Sequence, residues 1–105
     1  MSPFTHRLAN LDDVPALRAL MDVSIAELLK PFLSADEIAA SFHVMGLDTQ
    51  VIRDGTYFVI ECESRIAGCG GWSRRATLFG GDHSAGRDAA LLNPATEPAR
   101  VRAMY

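Results

Sequence analysis

The stretch Thr56-Tyr57-Phe58-Val59-Ile60-Glu61-Cys62 constrains this chain more than any other. It is dense in β-branched and aromatic residues, which fit a pleated, half-buried surface. Glu63-Ser64-Arg65 then turns the chain, and Ile66-Ala67-Gly68-Cys69-Gly70-Gly71-Trp72 returns as a partner strand. Both faces of this hairpin carry apolar residues. It is therefore expected at the centre of a sheet, covered on both sides in the complete fold.

The rest of the chain arranges itself around that hairpin. Phe4 to Ala9 alternates weakly and reads as a first strand. Asn10-Leu11-Asp12-Asp13 gives a helix start, with Asn10 or Asp12 as cap and acidic residues suited to the positive end of the helix dipole. Pro15 fits the first turn, where a missing N–H does no harm. Val14, Leu17, Leu20, Met21, Ile25, Leu28 and Leu29 then recur at helical spacing, and Pro31 stops or kinks that helix. Ser34-Ala35-Asp36-Glu37 has the capping-box pattern of a second helix, with Ile38, Ala39, Phe42 and Met45 as its buried side and Gly46 as terminator. Leu47 to Arg53 reads as a short helix or a loop, closed by the turn Asp54-Gly55. Ser73 to Pro98 breaks all periodicity with Gly80-Gly81, Gly86, Asn93-Pro94 and Pro98, and a segment so long is typically functional or mobile. Ala99 to Tyr105 alternates again as a strand. The sum is a mixed α/β chain of the α+β type, with a mostly antiparallel sheet and two N-terminal helices.

Length and charge narrow the function classes. The chain has 105 residues, 49% of them hydrophobic and 22% charged, which suits one small globular domain. A formal net charge of −3, with arginines scattered apart from Arg74-Arg75 and the Arg100/Arg102 pair, gives no case for nucleic acid. No apolar run approaches the ~20 residues that span a bilayer. The first residues carry neither a basic leader nor an apolar signal core, so a cytoplasmic location is expected. Cys62 and Cys69 flank the hairpin turn. A two-residue turn puts them on one face but diagonally offset, a three-residue turn on opposite faces, and neither geometry favours a disulfide. With only His6, His43 and His83 and no CxxC spacing, no metal site is expected.

The order of elements, with Ile66-Ala67-Gly68-Cys69-Gly70-Gly71-Trp72 returning from a strong strand and Val101-Arg102-Ala103-Met104-Tyr105 after it, resembles the GNAT family of acetyl-CoA-dependent N-acetyltransferases. Arg7-Leu8-Ala9-Asn10 followed by Asp12-Asp13-Val14-Pro15-Ala16-Leu17 is similar to the family's first strand and helix. Ser73-Arg74-Arg75 through Gly80-Gly81-Asp82-His83 is similar to an insertion in one bacterial branch. The resemblance implies a partial GNAT-like fold, residues 1–105 forming the N-terminal portion of one N-acetyltransferase domain. The family's coenzyme A pyrophosphate loop, Arg/Gln-x-x-Gly-x-Gly/Ala opening a helix after the fourth strand, would lie beyond Tyr105. Gly68-Cys69-Gly70-Gly71 does not replace it, because it sits in a strand pattern and opens no helix.

The resemblance also assigns roles. Acetyl-CoA would be the cosubstrate, and a small-molecule or peptide amine the acceptor. Main-chain groups at the end of the fourth strand, by position Met104 and Tyr105, would contact the acetyl group and pantetheine. Trp72 and His83 are the candidates for the acceptor side. No general base stands out: Ala99 to Tyr105 holds no carboxylate, Glu61 and Glu63 flank a turn, and Asp82-His83 is the best outside pair, since a histidine beside an acid titrates near neutrality. The alternative is a non-catalytic module that pairs through an exposed C-terminal strand, a homodimer being its simplest form.

Overall fold

A computed structural model describes residues 3–77 and 79–105; Met1, Ser2 and Leu78 lie outside the described residues. Strand β1 (Phe4–Leu8) leads through a 3₁₀ turn (Leu11–Asp13) into α1 (Val14–Leu28), α2 (Ala35–Ser41) and α3 (Thr49–Arg53). Strands β2 (Tyr57–Cys62), β3 (Arg65–Ser73) and β4 (Arg100–Arg102) complete a four-stranded sheet ordered β1-β2-β3-β4. Every pairing is antiparallel. The hairpin is central, as its composition implied.

Local chemistry explains the helix starts. Asn10 caps the 3₁₀ turn by accepting from the Asp12 N–H, while the Asp13 carboxylate accepts from the Asn10 N–H. Ser34 and Glu37 form the expected capping box at α2. Asp48 caps α3, so the stretch after Leu47 is a short helix, Thr49–Arg53. α1 ends at Leu28, ahead of Pro31, and buries Leu17, Met21 and Ile25 along one stripe. Its neighbour α2 buries no residue fully. Ile38, Phe42 and Met45 are half-buried, and Ala39 is exposed, against the expectation for its inner side.

The core sits on one face of the sheet. Leu17 and Met21 of α1 and Val51 and Ile52 of α3 pack on Tyr57, Val59 and Cys69. The opposite face is bare, against the expectation of cover on both sides. Phe4, Leu8, Ile60, Trp72 and Val101 are all exposed, and the register places them on that one side. No helix among the described residues is long and apolar enough to cross a membrane.

The hairpin turn corrects one expectation. Glu63 and Ser64 both have positive φ, and Cys62 pairs with Arg65, so the turn has two residues. Cys62 and Cys69 nonetheless face opposite ways. Ile60 pairs with Gly68 but Glu61 pairs with Ile66, so Ala67 is an extra residue, and the bulge reverses the alternation. Both cysteines are free thiols.

Candidate functional site

The most unusual backbone lies at the end of β4. Arg102 pairs with Gly71, and Tyr105 exchanges both main-chain hydrogen bonds with Cys69, at 2.9 and 3.0 Å. Two residues, Ala103 and Met104, thus stand opposite one, Gly70. This is a β-bulge, and Ala103 takes φ +50 to make it. A non-glycine residue in that region is costly unless its surroundings hold it.

Tyr57 holds it. Its ring is fully buried under α1 and α3, and its hydroxyl donates to the Ala103 carbonyl at 2.5 Å. The glycines of β3 make room. A Cβ on Gly70 would lie 2.2 Å from Met104 Sδ, and one on Gly68 would lie 3.2 Å from the Tyr105 carbonyl oxygen. The Tyr105 hydroxyl accepts the Gly46 N–H, joining the bulge to the loop after α2. The Met104 main chain hydrogen-bonds to no other described residue. Its N–H has no acceptor among the described residues.

Cavities flank this point. One of about 150 Å³ runs between Met45-Gly46, Phe79-Gly80 and Ala103, with Tyr105 in its wall. A second, also about 150 Å³, lies between Ser24 and Leu28 of α1, its C-cap Leu29, and Met104-Tyr105. A third, of about 210 Å³, is lined by Arg18, Asp22, Phe42, Asp82 and His83. Met45 borders all three.

Three side chains around the bulge are held neutral. Burial pushes the Tyr57 and Tyr105 hydroxyls and the Cys69 thiol above their ordinary values. They can donate hydrogen bonds near neutral pH but cannot accept a proton as bases. The Asp82-His83 pair does not assemble either. Asp82 accepts from the Thr49 N–H and hydroxyl and faces Arg18 and Arg87 at 3.8 Å. His83 Nε2 meets the Phe42 carbonyl, and the ring packs on Gly46. Both residues stitch the irregular segment onto the ends of α2 and α3.

Met104 and Tyr105 therefore share the bulge, and His83 lines the cavity on the far side of Gly46. Trp72 is elsewhere, on the bare face in a separate slot. A buried ionic cluster escaped the sequence reading altogether. Asp48 pairs with Arg87 at 2.5 Å and Arg102 at 3.3 Å, and Arg102 also donates to the Thr77 and Gly80 carbonyls. It fastens β4, α3 and the irregular segment together. Three residues so far apart in sequence leave no local pattern to find.

The letters Arg65-Ile66-Ala67-Gly68-Cys69-Gly70 spell Arg-x-x-Gly-x-Gly, yet they form β3 and no helix follows them. No group of three or more His, Cys, Asp or Glu among the described residues could hold a metal ion. No family model matches the chain, and no curated protein or solved structure matches it either.

Proposed function

We propose that the chain is the N-terminal portion of a GNAT-type N-acetyltransferase domain, and that its β4 bulge is where an acetyl thioester docks. The observation that carries this reading is the bulge itself. Attack of an amine on a thioester builds negative charge on the carbonyl oxygen, and a fixed N–H donor aimed at that oxygen lowers the barrier. The Met104 N–H has no acceptor among the described residues, its strand is clamped from below by Tyr57, and the Tyr105 main chain closes the bulge on Cys69. The acceptor is a small-molecule or peptide amine. No described residue at the bulge can deprotonate it, so its base comes from elsewhere.

The bare apolar face fits the same reading. Sheets that expose large apolar side chains are covered in a finished domain. The resemblance puts the pyrophosphate loop in that cover, and no such loop opens a helix among the described residues, so this chain should bind coenzyme A weakly and turn over nothing. Submicromolar binding of acetyl-CoA by calorimetry would overturn that part. Strand addition at β4 is the second reading, favoured by an outer edge where Val101 is 76% exposed. A three-residue strand ended by a bulge is a poor template for it.

Acetyl-pantetheine tests the site without needing the pyrophosphate loop. Titrated into labelled protein, it should shift the amide resonances of Gly70, Ala103, Met104 and Tyr105. Shifts confined to other regions, or none at all, refute the assignment.

A further inference from the structure

Trp72 lines a slot of about 460 Å³ on the bare face, within the range of small-molecule sites. Its walls are Trp72, Leu91, Leu92, Pro94 and Ala99, and they are mostly apolar. Two charges line it, Arg74 and Glu97. They make no ion pair with each other, and neither has an ion-pair partner among the described residues. Opposite charges kept apart on the rim of one apolar slot complement a ligand that carries both.

Each charge is also held in place. The Arg74 guanidinium lies over the Trp72 ring, 5.5 Å from its centre, a cation–π contact that holds the charge beside the slot. Its one protein hydrogen bond is long, 3.4 Å from Nη2 to the Asp54 carbonyl. Glu97 Oε1 accepts the Asn93 N–H at 2.9 Å, and Asn93 in turn accepts from the Ala95, Thr96 and Glu97 N–H groups. That closed turn fixes one carboxylate oxygen and leaves the other open. Leu91 and Leu92 are set by a short ladder in which Leu92 N–H donates to the Arg74 carbonyl and Arg75 pairs with Leu91.

We propose that this slot binds a free α-amino acid with an apolar side chain. Its carboxylate meets the Arg74 fork, a geometry suited to two parallel hydrogen bonds. The ammonium meets Glu97, and the side chain lies against Trp72, Leu91 and Pro94. This site is distinct from the β4 bulge, and it requires that whatever covers the rest of the bare face leaves the slot between Trp72 and Pro94 open.

Trp72 is the only tryptophan, so its fluorescence reports the slot directly. L-Leucine, which does not absorb at the exciting wavelength, should give a saturable change with a Kd on the order of 1 mM, reasonable for so few heavy atoms. Isoamylamine, which lacks the carboxylate, and 4-methylpentanoate, which lacks the ammonium, should each bind at least about tenfold more weakly. Arg74→Gln and Glu97→Gln should weaken leucine by a similar factor while circular dichroism stays unchanged. Absence of a saturable response to leucine up to about 50 mM overturns the proposal. So does equal binding of either singly charged analogue to the wild-type chain, whatever the variants do.

Discussion

Tyr57→Phe removes a single oxygen from the centre of the molecule, and the structure fixes what that oxygen does. The ring is fully buried, so phenylalanine keeps all of its packing. What is lost is the 2.5 Å hydrogen bond to the Ala103 carbonyl, at a residue held at φ +50. A buried carbonyl left without its donor costs about 1–3 kcal/mol. Ala103 is only half-buried, so water replaces part of the bond, and the lower half of that range, about 1–2 kcal/mol, is expected. For a domain of this size that lowers Tm by about 5–10 °C. Urea unfolding followed through Trp72 measures it. Amide exchange at Cys69 and Tyr105 reports the bulge separately, and both should lose protection. The alkaline limb gives an independent sign. Folding raises Cys69 from its ordinary 9.0 and Tyr57 and Tyr105 from their ordinary 10.0. The unfolded chain therefore gives up these protons first, and stability falls as pH rises from about 9 upward. With Tyr57 replaced, that fall should become shallower. A loss below about 0.5 kcal/mol with unchanged exchange at both amides refutes the clamp.

Four further outcomes follow from the same geometry. Asp48→Ala strands Arg102 in the interior without a counter-charge and leaves the half-buried Arg87 only its long 3.8 Å contact with Asp82, and should cost about 3 kcal/mol in urea unfolding. Gly71→Ala would set a Cβ 2.2 Å from the Thr56 carbonyl oxygen and 2.8 Å from Tyr57 Cα, backbone that cannot step aside, so a loss of about 3 kcal/mol or more is expected. Gly55→Ala meets nothing within 4 Å and strains only its φ of +72, which limits the loss to about 1–2 kcal/mol in the same assay. At acid pH, the Arg7 and Arg75 guanidiniums hold the Asp13 and Asp54 carboxylates below their ordinary 3.8. The stability they contribute is present above that value and fades as pH falls beneath it, so Asp54→Asn should flatten the acid limb of a stability–pH curve.

What could be read from the sequence divides along contact range. The hairpin, the capping box at Ser34-Glu37 and the stop at Pro31 all rest on neighbouring residues, and all stand in the structure. Facing was less legible. The single extra residue Ala67 parts Cys62 from Cys69, and nothing in Ile66-Ala67-Gly68 announces which residue will be passed over. Ala39 was expected inside because of its spacing, yet α2 touches the body with only part of one side. The site residues depended on the irregular segment. Asp82 and His83 face the ends of α2 and α3 because that segment folds back on them, while Trp72 looks onto the open face beside Leu91 and Pro94. No periodic pattern runs through residues 74–99, so sequence reasoning had no handle on where those side chains would go.

The glycines of β3 are the exception, because they carry information about both neighbours at once. Glycines inside a strand mark close packing or a bulge. In the structure they are the packing, and the bulge lies opposite them in β4. Gly71 admits the backbone of Thr56 and Tyr57 from one side, while Gly70 lies under Met104. These two contacts differ in kind. Gly71 meets main chain, but a Cβ on Gly70 would meet chiefly the Sδ and Cε of Met104, at 2.2 and 3.0 Å, with its Cα at 3.6 Å. A thioether arm that is 67% exposed can swing away. Gly70→Ala should therefore cost less than about 1 kcal/mol, since its backbone is unstrained and the obstruction is mobile. It should still change the bulge surface, because Met104 must leave the place where it now lies. The expected result is a near wild-type urea midpoint together with altered acetyl-pantetheine shifts at Met104 and Tyr105. A loss comparable to that of Gly71→Ala would show that Met104 is pinned rather than mobile, and that the bulge belongs to the core instead of to a ligand.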